Sequence, residues 1–289
     1  MNSTDGIGDL HIHTVASDGT CSVAERGRQA RERGLDTIAI TDHDTVSVDI
    51  EDRRSIDDGI EYIAGVEVRA DVQDTKVELL GYFIDPEDKQ LAGVLEEVRQ
   101  YRRDRNEKII DKLNEITSLN RPYKNIREEA NGILGRPHIA NILIQEEIVD
   151  SISEAFDEYL ANEETAFVPM KRVPAPDVIA AIQGAGGVVS LAHPGRIRSD
   201  DIDSIVSELA EAGLDGIEVQ YPYDEAPTEG YADVSVEDAA ALGEEYGLIQ
   251  TGGSDCHGPD SGKFRIGDVR VSKKQLTALR ERADQRRSL

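Results

Sequence analysis

Apolar and polar positions divide the chain into three stretches. Over residues 1–86, short apolar runs alternate with segments of helical period. Residues 6–14 (GIGDLHIHT), 37–43 (TIAITDH), 62–69 and 77–83 predict strands. Residues 22–33 predict a helix capped by Ser22 and stopped at Gly34, and a second helix is expected near 46–57. Residues 87–117 form a long charged stretch with Leu91, Leu95, Val98, Ile109 and Leu113 at helical spacing. Helices over 137–149 and 153–160 follow, and no strand-like run lies between 85 and 166. Alternation then returns, with helices at 176–182, 202–212 and 236–246 and strands at 187–192, 216–219 and 248–252. A short strand at 269–271 precedes a final charged helix. The pattern predicts an α/β fold, a parallel-rich sheet or barrel, interrupted by helices. Its expected divisions are 1–86, a helical insertion over 87–172, and 173–289.

Composition narrows the function classes. The chain has 289 residues and 38% apolar content, enough for a core. It has no apolar run long enough for a membrane span and no signal-peptide pattern at its start, so a soluble, cytoplasmic protein is expected. Cys21 and Cys256 are too few and too ill-spaced for a disulfide framework or a cysteine zinc site. The formal net charge of -26 is spread among strong apolar periodicities, and the basic residues are mostly arginine. Such a surface on a folded enzyme suggests a halophilic setting, where salt screens self-repulsion. It argues against an extended nucleic-acid surface, which needs basic residues. A phosphate-bearing substrate would then depend on metals or individual arginines. No obligatory protein partner is evident.

The six histidines carry the chemistry: His11, His13, His43, His138, His193 and His257. All but His138 fall at or just past the end of a predicted strand, where the side chains of an α/β barrel converge. His11 and His13 are two apart, so both face one side of a strand. Asp18 follows on a loop that Gly19 allows to turn back. TDHD places His43 between two acids, and SDCH places Asp255 and His257 on one side if the segment is extended. Cys256, between them, is read as packing, and so is Cys21. Glu67 in GVEVRA interrupts an apolar strand, where a carboxylate is costly to bury without a cation. His193 in LAHPG closes another apolar run. Each motif alone has an ordinary structural explanation. Their combination predicts a metal site.

HIHTVASDGT, TDHDT, GVEVRA, GRPHIA, LAHPGR and GGSDCHG together resemble the PHP (polymerase and histidinol phosphatase) superfamily, over nearly the whole chain. The resemblance is greatest to its group of nucleoside 3',5'-bisphosphate phosphatases and RNase AM. It implies a distorted seven-stranded (β/α) barrel of PHP type with a trinuclear metal site. His11, His13, Glu67 and Asp255 would surround one ion. Glu67 would bridge to a second, also bound by His193, and Asp18, His43 and His257 would hold the third. Where the family usually has a further histidine, this chain has Glu78, a replacement that favours Mn²⁺ or Mg²⁺ over Zn²⁺; iron is a further option. Arg136 and His138 resemble the family's substrate-phosphate contacts: a helix opening at Pro137 presents free N–H groups, and Arg136 adds a bidentate donor. Arg196 is a second arginine for the same task.

The implied reaction is hydrolysis of a phosphate ester by water activated at the metals. The implied substrates are a nucleoside 3',5'-bisphosphate or the 5' end of short RNA. His193, Asp255 and Arg136 are the candidate catalytic groups, with no general acid assigned. Three rivals stand beside this: a histidinol-phosphatase-like enzyme, a metal-dependent amidohydrolase, and a metal-binding domain whose catalysis has lapsed. The amidohydrolase reading lacks a strand-end lysine, and Glu78 keeps the lapsed reading open.

Overall fold

The computed structural model describes residues 7–129, 134–223, 234–259 and 265–288. Gly6, where the first predicted strand begins, lies outside them. The chain divides into two compact units, one of Met1–Glu96 with Arg172–Leu289 and one of Glu97–Lys171.

The first unit is built on a mixed sheet. Its strands are β1 (Gly8–Ile12), β2 (Thr37–Ile40), β3 (Arg54–Asp57), β4 (Ile60–Val72), β5 (Thr75–Tyr82), β6 (Val173–Pro174), β7 (Val188–Leu191), β8 (Gly216–Gln220) and β9 (Ile249–Gly252). The order is β1-β2-β4-β5-β7-β8-β9, with β3 and β6 each paired to β4. β5 is antiparallel to both β4 and β7, whereas β1, β2 and β4 run parallel, as do β7, β8 and β9. Past the strand ends, parallel bridges join Ile12 to Cys256 and His43 to Glu67. The long β4 thus carries Glu67 level with the segment leaving β2.

The expected helix near 46–57 does not form. β3 pairs with β4 there, across a turn in which Asp58 (φ 47°) and Gly59 (φ 81°) are both left-handed. An Asp-Gly dipeptide suits such a two-residue hairpin and overrides the weak helical pattern. Gln73 (φ 50°) and Asp74 (φ 61°) make a second such turn between β4 and β5. The strand expected at 269–271 reduces to a bridge between Val271 and Gly8.

Helices cover the sheet: α1 (Val23–Glu32), α6 (Ala175–Gly184), α7 (Ile202–Glu211), α8 (Val236–Glu245) and α9 (Lys273–Arg287). The Ser22 cap of α1 forms, reciprocated by Glu25 in a capping box. Leu276, Leu279 and Ala283 of α9 join Leu10, Ile63, Leu80 and Val188 in the core. Arg282 and Arg286 of α9 grip buried Asp215 at 2.9 and 2.7 Å.

α2 (Lys89–Ile116) leads into the second unit, which holds α3 (Tyr123–Glu129), α4 (Arg136–Gln145), α5 (Ile152–Ala155) and a π-helical turn over Phe156–Leu160. Its own apolar core includes Ile109, Leu113, Ile126, Ile139, Leu143 and Leu160. α3 was not foreseen, and α4 ends four residues short of its expected limit, before Glu147 turns left-handed (φ 54°). Among the described residues no helix is long and apolar enough to cross a membrane.

Candidate metal centre

β1 ends in His11-Ile12-His13, and its alternation turns both imidazoles to one side. Their ring centroids lie 5.2 Å apart, and both residues are buried. Glu67 of β4 meets them: its Oε2 is 3.5 Å from His11 Nε2, 3.4 Å from His13 Nε2 and 2.8 Å from His43 Nδ1. Its Oε1 lies 3.1 Å from His193 Nε2, just past β7. Asp255, beyond β9, places Oδ1 3.2 Å from His13 Nε2 and 3.6 Å from His11 Nε2. Asp18 sits 3.2 Å from His257 Nε2, 3.8 Å from His13 Nδ1 and 3.8 Å from His43 Nε2.

The expected donors therefore meet as four overlapping groups whose ligand atoms lie within 4.8 Å of one another. These are His13, Asp18, His43 and His257; His11, His13 and Asp255; His11, Glu67 and His193; and His43, Glu67 and Glu78. Close backbone approach makes this meeting feasible. A Cβ on Gly253 would fall 2.4 Å from His11, and one on Gly19 would fall 2.7 Å from the His13 carbonyl. Three non-glycine residues here are left-handed: Asp44 (φ 51°), His193 (φ 26°) and Asp255 (φ 52°). Such strain persists where surroundings over-determine the backbone, as they do at a site. It also corrects the expectation for Asp255 and His257, which do not share a side by extension. Asp255 turns instead, and His257 Nδ1 bonds its carbonyl at 2.8 Å.

Whether a cation fits can be judged from the polar atoms left over. His11 Nε2 and both ring nitrogens of His13 are buried with no hydrogen-bond partner. A buried polar atom left unpaired costs about 1–3 kcal/mol, and here several face one another. Mixed imidazole and carboxylate donors so arranged suit divalent ions. Without ions the groups polarise each other. Burial depresses the His13 imidazole to about 3, helped by His257 and His43. Burial works the same way on His43, but Glu67 and Asp18 carry it up to about 9. Burial opposes charge on Glu67, yet His43 and His11 hold its carboxyl well below the ordinary range.

Glu78 differs from the other donors. Arg69, directly opposite on β4, donates to its Oε1 from Nε (3.1 Å) and from a terminal guanidinium nitrogen (2.8 Å). Lys76 Nζ lies 2.9 Å from its Oε2, and His193 Nε2 lies 3.8 Å away.

Several buried groups behind the donors escaped the sequence reading. Glu218 of β8 accepts the His193 N–H at 2.8 Å and lies 3.0 Å from His11 Nδ1. A carboxylate only accepts, so Nδ1 carries a proton, and Nε2 is the nitrogen that faces the centre. Its signal, an acid in the apolar run GIEVQ, matches that of Glu67. Tyr221 donates to Asp255 Oδ2 at 3.0 Å. Arg26, fully buried, binds the carbonyls of His13 (2.7 Å) and Cys256 (3.2 Å). The acids beside the histidines are structural: Asp42 accepts from Thr14 and Ser17, and Asp9 from Ser254 and Gly267. Cys21 and Cys256 are buried free thiols, with Arg26 3.3 Å from the Cys256 sulfur.

The substrate candidates lie in both units. Arg196 follows His193 in the turn Pro194–Arg196, with its guanidinium 5.7 Å from the Tyr221 ring centroid. Arg136 and His138 belong to the second unit. There Arg136 donates to the Leu160 carbonyl (2.9 Å) and lies over the Phe156 ring, while His138 Nδ1 accepts the Gly135 N–H at 3.1 Å.

The chain is 30% identical over 254 residues to a 5'-3' exoribonuclease of Haemophilus influenzae, covering 87% of this chain and 90% of that protein. It is 27% identical over 264 residues to a 3',5'-nucleoside bisphosphate phosphatase of Chromobacterium violaceum, covering 90% of each. A solved structure from Bifidobacterium adolescentis, assigned as a metal-dependent phosphoesterase, superposes with a TM-score of 0.76 at 28% identity, over 95% of this chain and 96% of that one. The PHP domain matches residues 9–216, and the chain belongs to the PHP domain family.

Proposed function

We propose that this chain hydrolyses a phosphate ester of a nucleotide-like substrate, either a nucleoside 3',5'-bisphosphate or the 5' end of short RNA. It is a metal-dependent phosphoric ester hydrolase. The observation that carries the reading is the meeting of unpartnered His11 Nε2 and His13 Nε2 with Glu67 and Asp255. The names of the relatives supply the substrate class.

His11, His13, Asp255 and Glu67 would hold one divalent ion, and Asp18, His43 and His257 another. Mn²⁺ is the favoured metal, because the donors mix imidazole with carboxylate. When bound, such ions acidify water and offset charge on phosphate oxygens. The resemblance implies a third ion, which depends on Glu78, His193 and Glu67. The protein's own groups prepare the site. Glu218 holds His11 in one tautomer. Tyr221 donates to Oδ2 of Asp255 and leaves Oδ1 facing His11 and His13; burial beside Asp255 raises the phenol and keeps its proton in place. Arg196, in the turn after His193, is assigned to the substrate phosphate; Arg136 and His138, at the start of α4, are the phosphate contacts that the resemblance implies. His193 and Asp255 act first as ligands and are the candidates for moving protons.

Several wider expectations belong to this reading. Closure of the sheet as a distorted (β/α)7 barrel is supported by the Ile12–Cys256 bridge, which returns the chain after β9 to β1. A helical insertion over 87–172 is supported by the separate apolar core of the second unit. A nucleotide substrate and buried free thiols fit a cytoplasmic enzyme. The charge of -26 supports adaptation to high salt; a melting temperature that stays flat between low and molar KCl would refute that.

The functional test measures phosphate release with Mn²⁺, against an EDTA-treated control. The substrates are 3',5'-bisphosphate nucleotides and 5'-phosphorylated oligoribonucleotides. Release from either, abolished by EDTA, is expected. Release from neither would refute the reading, and the preferred substrate separates the two relatives' activities.

A further inference from the structure

We infer that Arg69 and Lys76 already occupy the cationic position beside Glu78, so the chain retains two divalent ions tightly and no third there. The inference rests on the metal-dependent hydrolase reading and sharpens it. The two retained ions belong to the His11–His13–Asp255 group and the His13–Asp18–His43–His257 group.

The partners of the donor atoms separate these positions from the third. At the first two, His11 Nε2 and both nitrogens of His13 are buried and unsatisfied. An ion gives them what the protein does not. At the third, both Glu78 oxygens are taken, Oε1 by two guanidinium nitrogens of Arg69 and Oε2 by Lys76. Its remaining donors, Glu67 Oε1 and His193 Nε2, are hydrogen-bonded to each other at 3.1 Å. A dication arriving there would have to separate Glu78 from a guanidinium that donates two N–H groups to its Oε1, in a largely desolvated place where breaking such a pair is costly. It would also stand beside two fixed positive charges.

The arrangement follows from strand register. Arg69 is the cross-strand partner of Glu78 in the β4/β5 hairpin. Lys76, two residues before Glu78 on β5, falls on the same face of the sheet. The Gln73–Asp74 turn sets that register. The cations are therefore built into the hairpin, and their charge is present whatever the metal supply.

The test is an ion count. Full-length protein is loaded with excess Mn²⁺, desalted, and measured by elemental analysis and native mass spectrometry. Two ions per chain are expected; three, or fewer than two, would overturn the inference. The double variant Arg69→Gln/Lys76→Gln, shown by thermal melting to be folded, is expected to retain a third ion. A folded double variant that still retains two would also overturn the inference. If the double variant does not fold, Lys76→Gln alone changes a half-exposed side chain. It is expected to lower the Mn²⁺ concentration for third-ion binding about tenfold, and no shift would count against the inference. Phosphate release keeps the two readings apart. Two retained ions without release from any nucleotide would support the count and refute the hydrolase, whereas three with release would do the reverse.

Discussion

The two sides of the candidate metal centre balance charge by different means. Around His13, Asp18, His43 and His257, carboxylate and imidazole atoms face one another, and both His13 nitrogens lack a partner. Around Glu78, the same kind of buried carboxylate is satisfied by Arg69 and Lys76. A protein can neutralise a buried carboxylate with an ion from solution or with a side chain of its own. The first choice leaves a site that must be loaded. The second leaves a fixed charge that no chelator removes. Glu67 touches both sides, with Oε2 toward His11, His13 and His43 and Oε1 toward His193.

The largest expected effect follows from that position. Glu67→Gln keeps the volume and removes the charge shared by the two sides. The loss in kcat/KM is expected to be on the order of 10³ or more, with retained Mn²⁺ falling by at least one ion per chain. Steady-state kinetics and elemental analysis on the same preparation check both. Retention of two ions with near-normal turnover would break the comparison, because neither side would then need the bridge.

Glu218→Gln comes next. It sits behind the centre, so its effect passes through His11 and the backbone of His193. The amide keeps one acceptor but loses the charge that fixes the His11 tautomer. Affinity for Mn²⁺ is expected to fall about 10–100-fold, with kcat largely recovered at saturating metal. A purely structural role would instead lower the melting temperature and leave the metal titration unchanged.

The difference in visibility between Glu67 and Glu218 shows what could be read from the sequence. Both interrupt apolar strands, in GVEVRA and GIEVQ. Glu67 was singled out, whereas Glu218 meets His11 only across 207 residues of sequence. The His-x-His spacing, the strand-end positions of His43, His193 and His257, and the Gly19 turn were legible because period and backbone sterics fix them locally. Pairings set by register were not legible. The Arg69–Glu78 contact depends on a turn of Gln73 and Asp74, which lacks the usual glycine, and the segment before Asp58-Gly59 has a helical pattern that pairing of β3 with β4 overrides. The backbone reversal at Asp255 was equally hidden, since no glycine marks it. In the fold, alternation located most elements, but the antiparallel run of β5 and the helix α3 needed tertiary contacts to appear.

Acidity sharpens the same comparison in metal-free protein. His43 is held up at about 9, against 6.5 for a free imidazole, so its contribution to stability is complete below pH 6.5 and is lost as pH rises through 9. His13 is depressed to about 3, so its neutral form costs stability as pH falls below 6.5. Metal-free protein should therefore melt highest near pH 6.5. Its decline toward pH 9 corresponds to a loss on the order of 3 kcal/mol from His43. Ion binding needs deprotonated imidazole and so strengthens over the same range. The gap in melting temperature between Mn²⁺-loaded and metal-free protein should widen from pH 6.5 to 9, as differential scanning fluorimetry can measure. A constant gap would mean that His43 carries no extra proton without metal.

The smallest effect is expected where a neutral group supports a donor. Tyr221 gives one hydrogen bond to Asp255 Oδ2, while Oδ1 faces His11 and His13. Removing it in Tyr221→Phe leaves the ring packed against His193 and takes one hydrogen bond from Asp255 Oδ2. A single hydrogen bond to a charged acceptor is worth about 1.5–3 kcal/mol, but the ion can replace part of it. The expected outcome is a loss of only severalfold to about tenfold in Mn²⁺ affinity, with little change in melting temperature. A loss as large as that from Glu218→Gln would place Asp255 orientation on the same footing as the His11 tautomer. The side of the centre that waits for ions would then depend equally on carboxylate and imidazole placement.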